Sequence, residues 1–333
     1  MVLRIGLIGC GGIANAHMQV LSNVKEVQLA SFCDIVEEKA RDFNARYAKG
    51  NATVYTDFAR MLEREKLDAV YVCLPPFAHS NEVETAAENG VHVFIEKPIA
   101  LDMGKARSMV EAARRHGIKT QVGFQLRFGT AVEHFRRMVE KGEAGPVGLF
   151  LAKYYCNSLH SPWWRDKSRS GGQVVEQIIH LYDLSRFMAG EPQSVYCRMD
   201  NLFHKDVEGY TAEDVSVCIL RFKNGGLGAI SATNFAIPNK WLHELNIVSR
   251  NLTVFFTDAN NAVFTPTNKP WEEQLTVSSR KNLTEAVNLD FLTAIKRDTT
   301  TRNPIEEGAR SLSLVLSARR SAEENRETIV EGL

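Results

Sequence analysis

Along the first 125 residues, short and continuous apolar runs alternate with segments whose apolar positions recur at the spacing of a helix face. Residues 2–8, 27–33, 69–74, 91–95 and 119–124 are the compact runs and predict strands, while 13–21, 36–47, 80–89 and 103–116 predict helices between them. Gly90 and Gly117 stand where two of these helices should end. Strands that are apolar at every position, not every second one, are buried on both faces, which predicts a parallel sheet covered by helices. The right-handed crossover preference makes this an α/β doubly wound (Rossmann) fold.

After a predicted helix at 130–141 the pattern changes. Residues 147–157, 194–201, 214–222, 227–235, 241–249 and 252–256 predict strands, two of them flanking the turn Lys223-Asn224-Gly225-Gly226, a strong hairpin signal. One helix at 173–188 interrupts the series, and helices at 283–297 and 305–324 close the chain. This describes an α+β domain with a large, mostly antiparallel open sheet, so we expect two domains, 1–125 and 126–333. Apolar side chains occupy both parities of some strands, as in Val215, Val217 and Ile219 against Cys218, Leu220 and Phe222. A sheet with two apolar faces needs two covers, and the expected second cover is another copy of the chain, in a homodimer or homotetramer.

Composition narrows the function classes. Lys+Arg and Asp+Glu are equal at 40 each, giving a formal net charge of zero. That balance supplies no electrostatic footprint for nucleic acid or an anionic membrane, and no partner of either kind is expected. The six cysteines, Cys10, Cys33, Cys73, Cys156, Cys197 and Cys218, form no C-x-x-C pair and no zinc spacing, so no metal is expected. They are read as small core residues of a reducing compartment. Residues 1–10 lack the basic flank and cleavage site of an export signal, and no apolar stretch is long enough to span a bilayer; the expected location is cytoplasmic.

The segment Gly6-Leu7-Ile8-Gly9-Cys10-Gly11-Gly12-Ile13-Ala14 follows the first strand and opens the first helix. It matches G-x-G-x-x-G/A, with Ala14 in the last position, in the context that gives the pattern meaning. Gly9 allows the tight turn, Gly11 lets main chain approach a pyrophosphate, and N–H groups around Gly12 and Ile13 face the phosphate oxygens. Asp34, twenty residues after Ala14, ends the second strand where a carboxylate meets the adenosine ribose hydroxyls. No Arg or Lys occupies 35–38, so a 2′-phosphate would face Asp34, Glu37 and Glu38 without a counter-charge. The expected cofactor is NAD, with NADP disfavoured.

Two further clusters carry possible chemistry. Leu74-Pro75-Pro76-Phe77-Ala78-His79 and Glu96-Lys97-Pro98 follow strands, at the carboxyl ends where open α/β sheets bind ligands. Later, Pro162-Trp163-Trp164-Arg165 precedes Gly171-Gly172 and a helical segment carrying Glu176, His180 and Asp183. At helical spacing Glu176 and His180 share a face, and Asp183 lies near enough to orient the imidazole.

These residues, together with Gly123-Phe124-Gln125-Leu126-Arg127-Phe128, resemble the glucose–fructose oxidoreductase/inositol dehydrogenase/rhizopine catabolism (Gfo/Idh/MocA) family over almost the whole chain. The resemblance implies that Lys97 and His180 are catalytic and that Glu176 contacts substrate. It implies a cofactor site comprising Gly9, Gly11, Gly12, Ile13, Asp34, Leu74, Pro75, His79, Glu96, Lys97 and Gln125, with Trp164 and Arg165 closing over it from the second domain. The function it implies is reversible, NAD-dependent oxidation of a secondary alcohol on a sugar, polyol or cyclitol. Two alternatives stand beside it: a glycoside-cleaving hydrolase that uses NAD transiently, and a silent sugar sensor. Retention of Lys97 and His180 argues against the sensor.

Overall fold

The computed structural model describes residues 2–333; Met1, the first residue of the expected N-terminal domain, lies outside them. Two compact units are present: one holds residues up to Gly123 together with Thr284–Ala309, the other holds Phe124–Leu283 and Arg310–Leu333.

The first unit alternates strand and helix in the expected way: β1 (Leu3–Ile8), α1 (Gly12–Leu21), β2 (Val27–Cys33), α2 (Glu37–Ala48), β3 (Thr53–Tyr55), α3 (Phe58–Arg64), β4 (Ala69–Val72), α4 (Glu82–Glu88), β5 (His92–Ile95), α5 (Met103–His116) and β6 (Thr120–Val122). All its strand pairs are parallel, and their order is β3-β2-β1-β4-β5-β6, that of a Rossmann sheet. Every residue of β4 is buried, as its unbroken apolar run requires. The pattern missed β3 and α3. β3 has three residues, and the short α3 is held by a cap, with Asp57 accepting from the N–H groups of Ala59 and Arg60.

Residues 284–309 were expected in the second domain but pack in the first unit. The reason is aromatic: Phe291, fully buried, sets its edge against Tyr71 and Phe94 (5.8 Å each), which stack on one another at 4.6 Å.

The second unit contains α6 (Thr130–Glu140), β7 (Val147–Tyr155), three short helical turns α7 (Pro162–Arg165), α8 (Lys167–Ser170) and α9 (Gln173–Glu176), then α10 (Ile179–Ala189). Strands β8 (Pro192–Asp200), β9 (Val215–Phe222), β10 (Leu227–Thr233), β11 (Leu242–Ser249), β12 (Leu252–Phe256), β13 (Ala262–Pro266) and β14 (Leu275–Val277) follow, and then α11 (Leu283–Arg297), α12 (Ile305–Glu324) and β15 (Thr328–Ile329). The nine-stranded sheet runs β14-β13-β12-β11-β7-β10-β9-β8-β15. It is antiparallel except where β10 lies parallel to β7. The sequence pattern missed β13, β14 and β15, which are short or mixed in polarity and lie toward the two edges.

The helix expected over 173–188 is broken. The Ile178 N–H passes over to the Gln173 carbonyl (3.0 Å), a wide turn of the π type, and α10 restarts at Ile179. The cysteine reading also needs correction. β8 and β9 place Cys197 directly opposite Cys218, 4.1 Å apart at Cα, and the two form a disulfide. Cys10, Cys33, Cys73 and Cys156 are free and buried, and burial pushes the Cys33 thiol up to about 12 and that of Cys156 up to about 11. Such thiols are inert packing groups, but the cross-strand pair removes the argument from cysteines to a reducing compartment. Among the described residues no helix is long and apolar enough to cross a membrane.

Candidate active site

The glycine loop is built by close packing of main chain. Gly9 has φ +90°, and a Cβ there would meet the carbonyl oxygen of Cys73 at 2.5 Å and the Leu74 side chain at 3.1 Å. Only glycine satisfies both conditions. A Cβ at Gly11 or Gly12 would meet nothing within 4 Å, so the space before the start of α1 is open, as a pyrophosphate requires. Ile13 follows in the exposed first turn. Asp34 accepts from the Cys10 N–H and the Val36 N–H, each at 2.9 Å, so the acid after β2 also anchors the loop. Glu37 and Glu38 open α2 beside it. The open glycine loop and the acid that borders it fit an adenine dinucleotide.

Pro75 leads into a single 3-10 turn at Pro76–Ala78. The ring of His79 then turns inward, its side chain 2% exposed, and pairs through Nδ1 with Glu82. Burial pushes the Glu82 carboxyl up, but the hydrogen bond and charge of His79, with main-chain N–H groups, outweigh it and hold the group below its ordinary value. His79 is therefore an anchor of this loop. Glu96 is likewise turned inward. Its carboxylate accepts from His17 Nε2 (2.9 Å) and from the Lys97 N–H (3.2 Å), and it packs where a side chain on Gly123 would stand. Lys97 stands two residues past the end of β5 and is joined to Pro98 by a cis peptide bond.

In the second unit, Gln125 begins the 3-10 turn Gln125–Phe128. Trp164 is buried, and its indole N–H donates to Glu176 Oε2 at 2.6 Å. The Arg165 guanidinium donates to the carbonyls of Leu159 (2.8 Å) and His160 (3.0 Å). It clamps a turn in which His160 takes the left-handed φ of +55°. Within their own unit Trp164 fixes Glu176 and Arg165 fixes the loop beside it.

His180 is the second residue of α10, buried, with its ring edge-on to Phe124 at 6.1 Å. Because the π-type turn intervenes, Glu176 and His180 are not on one continuous helix. Asp183 is not the orienting partner of His180 that spacing suggested. Its carboxylate receives Arg127 through Nε (2.7 Å) and Nη2 (2.6 Å), and Ser311 Oγ at 2.8 Å. Both charged groups are almost wholly buried, and the guanidinium also lies over the Phe187 ring at 4.8 Å.

Sequence reasoning missed Glu213. This buried acid accepts from the Val174 N–H at 2.8 Å, and its carboxylate fills the space in front of Gly172, whose φ is +97°. Burial raises its pKa despite that hydrogen bond. It sets the start of α9, and nothing in the local sequence around Glu213 points to Gly172.

The parallel sheet order, the open glycine loop and the acid after β2 together define a dinucleotide-binding α/β protein. Residues 3–124 match the model of an oxidoreductase family with an NAD-binding Rossmann fold, and residues 132–259 match the GFO/IDH/MocA C-terminal domain. The chain belongs to the GFO/IDH/MocA oxidoreductase family, and its cofactor is NAD. It is 29% identical over 237 residues to myo-inositol 2-dehydrogenase of Thermotoga maritima, covering 71% of this chain and 70% of the relative. It is 28% identical over 263 residues to D-glucoside 3-dehydrogenase of Escherichia coli, covering 74% of each. The solved structure of a levoglucosan dehydrogenase with NADH and L-sorbose superposes with a TM-score of 0.91 at 19% identity, over the full length of both chains. That likeness establishes the shared fold.

Proposed function

We propose that this dehydrogenase oxidises a secondary alcohol of a sugar, polyol or cyclitol, with Lys97, His180 and Glu176 as the residues that meet the substrate. The observation that carries the reading is Lys97: in an NAD-binding family, it stands two residues past the end of a largely buried strand with its main chain pinned by Glu96. Relatives named for dehydrogenation of inositol and of glucosides support the substrate class.

Bound NAD supplies the hydride acceptor. In the proposed scheme the Lys97 ammonium donates a hydrogen bond to the reacting oxygen and stabilises the negative charge that develops there. The His180 imidazole takes the hydroxyl proton as general base. Glu176 accepts from a neighbouring hydroxyl, and the Trp164 hydrogen bond on its Oε2 holds the carboxylate in one orientation, which decides the carbon presented for oxidation. The test is a fluorescence titration with NADH and NADPH followed by a panel of polyols and aldoses under NAD. Expected are at least tenfold tighter NADH binding and NADH production from at least one cyclic polyol or sugar. Equal affinity for both cofactors would remove the role given to Asp34, Glu37 and Glu38.

We further propose that the chain is a homo-oligomer joined through its second sheet. β9 alternates between buried Cys218, Leu220 and Phe222 and half-exposed Val217 and Ile219. The register continues the Ile219 row through Ala229, Leu151 and Asn246 to Phe255, of which Leu151 and Phe255 are also exposed. Such a row in water favours a protein cover. Ile219→Lys is expected to move the sedimentation peak from oligomer to monomer at micromolar concentration. A wild-type monomer peak under those conditions would sink the proposal.

A further inference from the structure

The first unit contains a buried polar chain that the scheme above leaves unused. His17 on α1, Glu96 after β5 and Asn288 on α11 are 1%, 5% and 0% exposed. Asn288 Nδ2 donates to the carbonyl of Thr284 at 2.7 Å and contacts His17 Nδ1 at 2.9 Å. An amide nitrogen can only donate, so His17 Nδ1 accepts, and Nε2 carries the ring proton and donates to Glu96 Oε1 at 2.9 Å. Turning the amide over would set its oxygen against the Thr284 carbonyl, so its orientation is determined. In this orientation Asn288 Oδ1 is buried with no hydrogen-bond partner among the described residues. The imidazole is further held edge-on to Phe94 at 4.7 Å and beside Tyr71 at 5.6 Å.

A buried hydrogen-bonded chain of this kind costs desolvation, and a salt-free apolar core would serve packing equally well. What the chain does beyond packing is to determine where the Glu96 carboxylate sits, and that carboxylate accepts from the Lys97 N–H. We propose that His17 and Asn288 are positioning residues for Lys97, acting through Glu96. Asn288 fixes the tautomer of His17, His17 fixes Glu96, and Glu96 fixes the main chain from which the lysine extends. The same links tie Lys97 to the helix that follows the glycine loop, so the residue expected to meet the reacting oxygen is braced against the element expected to hold the cofactor. Glu96 is then a support and not a lining residue. The inference rests on the assignment of Lys97 to the reaction.

The experiment compares His17→Leu, His17→Gln, Asn288→Ser and Lys97→Ala in the full-length protein, measuring kcat, substrate KM, NADH dissociation constant and melting temperature. His17→Leu removes the donor to Glu96 and is expected to lower kcat by about 10- to 100-fold, the loss that a displacement on the order of 1 Å produces. NADH affinity and KM should stay within about threefold. His17→Gln places an amide donor near the position of Nε2 and is expected to recover kcat to within about threefold of wild type. Asn288→Ser, which frees the ring to turn, should give an intermediate loss and serves if His17→Leu does not fold. In 15N-histidine NMR, the wild type should show His17 protonated at Nε2 and the Asn288 variant a mixture of tautomers. The proposal is overturned if the folded His17 or Asn288 variants keep wild-type kcat. It is equally overturned if His17→Gln is as impaired as His17→Leu, which a packing role would produce. Full turnover by Lys97→Ala would instead remove the lysine assignment on which the inference rests.

Discussion

Replacing Lys97 with alanine is expected to lower kcat by about 10²–10⁴-fold, the range for loss of one proton-transfer or oxyanion-stabilising group, while NADH still binds within about twofold of wild type. The cofactor loop and the lysine are built from different parts of the same sheet. Gly9 packs on Cys73 and Leu74 at the end of β4, and Asp34 holds Cys10 at the end of β2. Lys97 follows β5, where Glu96 grips its main chain. Truncating the side chain therefore leaves the hydrogen bonds of the loop and of Glu96 in place. If Lys97 meets the substrate oxygen mainly as charge develops on it, kcat falls and KM changes little. Steady-state kinetics beside a fluorescence titration separate the two quantities. Unimpaired turnover in the variant would refute the role.

The largest effect on stability is expected from Arg127→Met. The guanidinium makes a two-point contact with Asp183, both groups are buried, and Ser311 completes the carboxylate. Removing the cation leaves the buried Asp183 carboxylate with only the more distant Arg186 guanidinium, at 3.8 Å, as counter-charge, which costs up to about 3–5 kcal/mol and should lower the melting temperature by on the order of 10 °C in a unit of this size. Replacing both partners, Arg127→Met with Asp183→Leu, eliminates that carboxylate and should be less destabilising than the single change. Losses that simply add in the double variant would show that the pair contributes through packing and not through charge. Thermal melts of the three variants decide between these outcomes.

The contrast between Arg127 and Asp183 shows where sequence reading reached its limit. Periodicity identified most strands of the parallel sheet, because a strand buried on both faces is legible without reference to its neighbours. The glycine loop and Asp34 were legible because their chemistry is local, within one strand–turn–helix and the strand after it. Contacts between distant segments were not legible. Asp183 stands three residues after His180 but pairs with Arg127, 56 residues away. The continuous helix expected at 173–188 contains no Gly or Pro that would announce a break; it is interrupted beyond a start that Glu213 sets from 39 residues away. Cys197 and Cys218 became partners only once the register of β8 on β9 was known. His17 gave no signal at all, since a lone histidine in a helix is unremarkable until Glu96 and Asn288 are seen against its two nitrogens. Candidate residues were named from motifs, but which of them face inward, as His79 and Glu96 do, depended on tertiary packing.

The central claim is that hydride passes from a carbinol carbon of the substrate to the nicotinamide. Its most direct measurement uses a substrate from the polyol and aldose panel, deuterated at the carbon bearing the reacting hydroxyl, with NAD and the wild-type enzyme. The account predicts reduced cofactor carrying that deuterium at nicotinamide C4 in amounts equal to the ketone formed, and none with Lys97→Ala on the same timescale. Release of sugar from a glycoside with no net reduced cofactor, or reduced cofactor without the label, would contradict it.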